Sequence, residues 1–151
     1  MAEVQLHVFC DASELAYGAV AYLRFSYKGG GHKCSFVMSK SRLAPIKTLT
    51  MPRLELNAAR TGARLSKMVV HEIGLPVERV QYWSDSTITI QYIQNKKHRM
   101  KIFVGNRITE IHDILKKYRF TGFIPLRIAP FGCDRISLAH RCLPSAHPAG
   151  F

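Results

Sequence analysis

Three acidic side chains stand at positions where solvent-exposed carboxylates are uncommon. Asp11 ends an apolar, strand-like run, Glu55 lies near the start of a helical run, and Asp85 follows a second strand-like run. Carboxylates that converge repel one another, so a buried trio is stable only when it holds a cation or protons. Oxygen ligands without a nearby His or Cys favour Mg²⁺ or Mn²⁺. The trio therefore predicts a metal site, and two metals about 3.5–4 Å apart would suit phosphodiester hydrolysis.

Each of these acids also has a purely structural interpretation. Asp85, between two serines, has the residue type of a helix N-cap. Glu55, predicted in the first turn of a helix, would complement the helix dipole. Asp11 has the residue type that opens a turn. The metal site is favoured because all three acids stand at the ends of elements that could bring them together.

The elements that would position these acids are predicted from hydrophobic periodicity. Strands are predicted over 4–10, 18–27, 34–38 and 77–83, and helices over 53–73, 87–94 and 100–115. The glycine-rich segment Lys28–His32 predicts a hairpin, so the first three strands form an antiparallel meander. The order then predicts an α/β fold, in which helices flank a mixed sheet made of this meander and a parallel strand. A fifth strand over 120–129 is left open, because Pro125 interrupts the run.

The helix that carries Glu55 has small residues on the same stripe. Ala58, Ala59 and Gly62 follow Glu55 at offsets of three, four and seven residues. Such spacing places them on one helix face. Small side chains on that face would let the helix approach the sheet closely and carry the carboxylate inward.

Composition limits the class of protein. The 151 residues suit one domain, predicted as a folded part over 1–115 and a divergent, poorly ordered tail over 116–151. Lys and Arg total 22 against 10 acids, and the net charge of +12 favours a polyanionic partner, nucleic acid first. No apolar run is long enough for a membrane span, and no secretion signal is seen, so an intracellular protein with reduced cysteines is expected.

Several short segments, taken in order, resemble a known family. These segments are Phe9–Ser13, Met38–Pro45, Pro52–Leu56, Trp83–Ser86 and Phe103–Asp113. Together they resemble the ribonuclease H domain in the polyproteins of BEL/Pao-type LTR retrotransposons. The similarity covers about residues 4–113, and several motifs in order at close spacing make it specific.

The resemblance implies a substrate and a role for particular residues. Members of the family cut the RNA strand of an RNA–DNA hybrid with Mg²⁺ (or Mn²⁺) as cofactor. By this similarity Asp11, Glu55 and Asp85 are three of the family's four metal-binding carboxylates. Ser13 and Ser86 match polar positions beside them, where Ser13 would contact the hybrid's backbone and Ser86 would cap its helix or bind substrate.

Further partners follow from the charge and from the resemblance. The basic run between two predicted helices includes Lys96, Lys97 and Arg99, which would suit a phosphate backbone. A solvated loop is the alternative for this run. The resemblance also implies reverse transcriptase and integrase segments of a parent polyprotein as partners.

The resemblance ends before the chain does. The family's fourth carboxylate lies in a segment that residues 114–151 do not reproduce, and neither Asp113 nor Asp134 has its sequence context. Metal binding is therefore expected to weaken.

Three other functions stay open. The first is an inactive remnant that binds nucleic acid without cleaving it. The second is an aspartic peptidase, which needs two Asp-Thr/Ser-Gly turns; the residues after Asp11 and Asp85 lack the glycine. The third is zinc binding by a tetrahedral set in the tail, although its spacing matches no standard zinc finger. That set is Cys133, His140, Cys142 and His147.

Overall fold

The computed structural model describes residues 2–47, 49–95, 99–117 and 120–125. In chain order its elements are β1 (Glu3–Ala12), β2 (Ala16–Ser26), β3 (His32–Leu43), α1 (Met51–Glu72), β4 (Arg79–Ser84), α2 (Thr87–Gln94), α3 (Ile102–Lys117) and β5 (Phe120–Pro125). The sheet has the order β3-β2-β1-β4-β5. The first three strands are antiparallel, and β4 is parallel to β1 and to β5. The predicted α/β fold, with a meander joined to a parallel strand, is confirmed.

The fifth strand, which the sequence left open, is present. It pairs in parallel with β4, and Pro125 lies opposite Ser84 instead of breaking the strand. β5 is the edge of the described sheet, where a proline without an N–H is tolerated. The sheet therefore extends beyond residue 115, where the sequence predicted the end of the domain. Residues 126–151, which contain the proposed zinc ligands, lie outside the described residues.

The third strand is longer than the sequence predicts. The predicted strand ends at residue 38, but β3 continues to pair with β2 as far as Leu43, which lies opposite Ala16. Residues 39–43 are exposed, so their side chains do not alternate between apolar and polar. This part of the strand pairs through its backbone, which the pattern of side chains does not reveal. The register shifts where Ala21 pairs with Met38 and Tyr22 with Phe36, which leaves Val37 as an extra residue.

The core lies between the sheet and α1. Alternate side chains of β1, such as Leu6 and Val8, are fully buried, as are Leu56, Ala58 and Leu65 of α1. This alternation on β1 and the helical spacing on α1 place both apolar faces against each other. α3 packs against α1, and its buried side chains Ile108, Ile111 and Ile114 belong to the same core. Among the described residues, no helix has the length and apolar character needed to cross a membrane.

Candidate metal and nucleic-acid site

Asp11 and Asp85 are brought together by the pairing of two central strands. β1 and β4 run parallel, and Cys10 of β1 lies opposite Ser84 of β4. Asp11 and Asp85 each follow one member of this pair, so both carboxylates emerge at the same edge of the sheet. Parallel strands place their carboxyl ends together, which is why residues distant in the chain meet here.

Glu55 reaches the same edge from α1. The helix begins after Thr50 with Pro52 in its first turn, so Glu55 is its fifth residue and lies outside that turn. The predicted first-turn position of Glu55 is therefore wrong, and complementing the helix dipole does not account for this carboxylate. The helix lies close to β1 because Gly62 faces the side chains of Cys10 and Val8. The predicted stripe of small residues does lie buried against the sheet.

The three carboxylates form one cluster. A carboxylate oxygen from each of Asp11, Glu55 and Asp85 lies within 4.8 Å of the other two. Asp11 and Glu55 are half-buried and Asp85 is exposed, so the cluster opens to solvent on the side of Asp85. Asp11 Oδ1 also accepts a hydrogen bond of 2.8 Å from the backbone N–H of Ala12, which fixes the orientation of its carboxylate.

The electrostatics of the cluster fit a hard divalent cation. Burial, and then the negative charges of the neighbouring Asp85 and Asp11, together raise the pKa of Glu55 to about 8. Its Oε2 atom is buried and makes no hydrogen bond with any described residue. A buried carboxylate oxygen without a partner, beside two more carboxylates, is the arrangement that a cation satisfies. Oxygen donors alone match Mg²⁺ or Mn²⁺ better than softer metals.

Both serines beside the cluster have structural partners. Ser13 Oγ accepts hydrogen bonds from the N–H groups of Leu15 and Ala16 and donates one to the carbonyl of Ala16, closing the turn between β1 and β2. Ser86 is the N-cap of α2, and its Oγ accepts a hydrogen bond of 3.2 Å from the N–H of Thr89. Asp85 is therefore not the cap, which leaves its carboxylate available to the cluster.

The predicted basic run is only partly described. Lys96 and Lys97 lie outside the described residues, whereas Arg99 is described and exposed. No fourth carboxylate joins the cluster within the described part of the chain. Asp113 lies instead on α3, in a groove between α1 and α3 that Arg64 and Lys67 also line.

One group of residues was missed by the sequence reasoning. Arg53 of α1 and Arg107 of α3 both lie against the ring of Phe103, with their Cζ atoms 4.8 and 3.5 Å from its centroid. Arg107 Nε also donates a hydrogen bond of 2.7 Å to Asn57 Oδ1. The spacing of Arg53 and Asn57 by four residues was the available signal, but their partners on α3 are about fifty residues away in the chain.

The fold and the acidic edge together define a ribonuclease H-like domain. LC11-RNase H1, isolated from compost by a metagenomic approach, matches with a TM-score of 0.53 at 14% identity over 94% of this chain and 91% of that chain. Its complex with an RNA/DNA hybrid gives 0.51 at 11% identity, with 82% and 84% covered. RNase H1 from the archaeon Halobacterium salinarum gives 0.50 at 10% identity over the same shares. At such low identities the similarity shows the fold alone.

The sequence identifies the family within this class. A family model described as the Pao retrotransposon-like RNaseH-like domain matches residues 1–86, which is more than half of the chain and includes all three clustered carboxylates. The chain therefore belongs to the Pao retrotransposon-like RNaseH-like family, and the resemblance inferred from the motifs is confirmed. No match is found among curated protein sequences.

Proposed function

We propose that this domain is a divalent-metal-dependent endonuclease that cleaves the RNA strand of RNA–DNA hybrids. The observation that carries the proposal is the cluster of Asp11, Glu55 and Asp85 within 4.8 Å, with a buried Glu55 oxygen that lacks a partner. The net charge of +12 supports a polyanionic substrate. The hybrid is favoured as substrate because the fold is shared with LC11-RNase H1, which has been solved in complex with an RNA/DNA hybrid.

The three carboxylates are the proposed metal-binding and catalytic residues. Bound Mg²⁺ or Mn²⁺ would supply activation of water and stabilisation of the leaving oxygen. Asp11 and Asp85 hold fixed positions because they emerge from adjacent strands of one sheet. Without the cation, the pKa of Glu55 is raised to about 8, so this side chain is protonated at neutral pH. Glu55 would therefore release a proton when the cation binds.

The substrate-binding residues are proposed around this cluster. Ser13 lies in the turn next to Asp11, where it would contact the backbone of the hybrid. Ser86, the N-cap of α2, would also contact that backbone. Lys96, Lys97 and Arg99 are proposed to contact phosphates. We also propose the reverse transcriptase and integrase segments of a parent polyprotein as partners.

The proposal is tested by incubating the purified chain with a labelled RNA–DNA hybrid and Mg²⁺. The wild-type chain should shorten the RNA strand and leave the DNA strand intact. Asp85→Asn and Glu55→Gln should each lower the cleavage rate by at least 10²-fold, because each removes charge from the metal site. Mn²⁺ titration by calorimetry should show weaker binding to both variants.

A matched control uses a carboxylate outside the cluster. Glu14 is exposed in the turn that follows Asp11, so Glu14→Gln makes the same chemical change close to the site without entering it. This variant should cleave as the wild type does. Equal cleavage by Asp85→Asn and Glu14→Gln would refute the proposed site.

A second function is favoured by one specific observation. The cluster contains three carboxylates in the described part of the chain, where the family has four. A domain that binds the hybrid without cleaving it would follow if three carboxylates bind the cation but do not position it for cleavage. Binding of the hybrid without any shortening of the RNA, at Mg²⁺ or Mn²⁺ concentrations that saturate the site in calorimetry, would support this function over the first.

A further inference from the structure

The basic surface between α1 and α3 is built around one aromatic ring. Arg53 and Arg107 approach the ring of Phe103 from two different helices, with Cζ atoms 4.8 and 3.5 Å from the ring centroid. The electron-rich face of the ring attracts each cation, which partly offsets the repulsion between the two guanidinium groups. We call Arg53, Phe103 and Arg107 the arginine clamp.

Arg107 is held in one orientation by two further contacts. Its Nε donates a hydrogen bond of 2.7 Å to Asn57 Oδ1, and its Nη1 donates one of 3.1 Å to the carbonyl of Phe103. Asn57 is itself buried, so this anchor is rigid. Because a guanidinium group has five N–H donors, the remaining donors of Arg107 are oriented and available.

The clamp carries positive charge that the described residues do not neutralise. Neither Arg53 nor Arg107 forms an ion pair with any of them, whereas Arg60 and Arg64 on the same helix face both pair with Glu110. Burial and the nearby Arg60 both lower the pKa of Arg107. Two guanidinium groups that contact one ring and lack an ion-pair partner among the described residues offer a site for an anion.

The clamp lies next to the carboxylate cluster. Arg53 precedes Glu55 by two residues in α1. Tyr17 is close enough to Arg107 to affect its pKa, and it pairs with Ala12, the residue that follows Asp11. Asn57, the hydrogen-bond partner of Arg107, follows Glu55 by two residues, so both arginines are held within about one helical turn of this carboxylate along α1.

We infer that the arginine clamp binds a backbone phosphate of the nucleic acid strand that lies across the carboxylate cluster. Guanidinium groups bind phosphate oxygens through two parallel hydrogen bonds, and a stacked, anchored arginine loses little freedom when it does so. This inference rests on the nucleic-acid substrate of the proposed function, but it does not require that the chain cleaves that substrate.

The test measures binding of a fluorescent RNA–DNA hybrid to the full chain without divalent metal. Arg107→Lys keeps the charge but loses the fork and the stacking, and Phe103→Leu keeps both arginines but removes the ring. Each should weaken binding about five- to tenfold. The control is Lys67→Gln, which removes a charge from the exposed face of α1 roughly 21 Å along the helix from Arg53. Its affinity for the hybrid should stay within twofold of that of the wild type.

Folding and binding are separated by a further variant. Arg53 makes no side-chain hydrogen bond with a described residue and its Cζ lies 4.8 Å from the centroid of the Phe103 ring, so Arg53→Gln should change the thermal midpoint less than Phe103→Leu does and still weaken binding. Binding by all three clamp variants equal to that of Lys67→Gln would overturn the inference. If the wild type fails to cleave while binding still depends on Arg107, the clamp stands and the proposed catalysis fails. If it cleaves with binding independent of the clamp, only the clamp fails.

Discussion

The carboxyl group of Glu55, on a helix that packs against the sheet, has an unusually high pKa. Its pKa is raised to about 8, first by burial and then by Asp85 and Asp11, so the metal-free site holds a proton at neutral pH. The folded state binds this proton more tightly than the unfolded chain, in which a Glu titrates at about 4.3. Its contribution to stability is therefore fully present below that lower pKa and is lost as the pH rises through 8.

The first prediction concerns the direction in which stability changes with pH. Burial lowers the pKa of His7 to about 4, which makes stability rise with pH up to about 6.5 and opposes the effect of Glu55 there. Without metal, the free energy of unfolding should therefore decrease between pH 6.5 and pH 8.5, and Glu55→Gln should flatten the decrease. Saturating Mg²⁺ should restore stability at the high-pH end, because the cation replaces the proton. Urea unfolding at several pH values, with and without Mg²⁺, checks this. A wild-type stability that rises over this range in parallel with that of Glu55→Gln would contradict the raised pKa.

At the scale of elements, the site depends on how closely α1 approaches β1. A Cβ at Gly62 would lie well inside the van der Waals contact distance to Cys10 Sγ and 3.2 Å from Val8 Cγ1. Gly62 is helical and fully surrounded, so the space and not the backbone conformation requires glycine here. The contact also sets how far Glu55, two turns earlier on the same stripe, reaches toward the strand ends.

The second prediction concerns this contact. Gly62→Ala should destabilise the fold by about 1–3 kcal/mol through overpacking, although alanine alone favours a helix by about 1 kcal/mol. The same change in a Cys10→Ala background should cost at least about 1 kcal/mol less, since the nearest sulfur is gone and Ala19 Cβ at 3.5 Å is an ordinary contact. Denaturant midpoints of the four proteins give the coupling energy, and additive effects would refute the close approach.

The elements also show what the sequence could predict. The order of strands and helices, the parallel β1–β4 pair and the convergence of three acids follow from periodicity and from the positions of strand ends. The end of β3 was missed because residues 39–43 pair through the backbone while their side chains are exposed. Contacts across long chain separations were also missed, such as the hydrogen bond from Trp83 Nε1 to His7 Nδ1 and the arginine clamp. The spacing of residues within one helix or strand does not predict which other element packs against it.

At the scale of the whole molecule, charge is divided unevenly. The chain has a net charge of +12, yet three of its ten acids meet at one point. Under the proposed function, this point would repel, without metal, the phosphates that the rest of the surface would attract. A bound cation would then have two effects on the substrate, since it would neutralise the repulsion as well as supply the chemistry.

The third prediction follows from this division. Hybrid binding without metal should fall steeply with salt, by about 10³-fold between 50 and 200 mM if about six phosphates are neutralised. At one salt concentration, Asp85→Asn should bind the hybrid more tightly than the wild type without metal, because one repelling charge is gone. Added Mg²⁺ should tighten wild-type binding more than it tightens that of the variant. Fluorescence anisotropy over a salt series, with and without Mg²⁺, checks both effects. Binding that does not depend on salt would contradict the contacts with phosphates. An Asp85→Asn variant that binds more weakly without metal would show that the cluster does not face the nucleic acid.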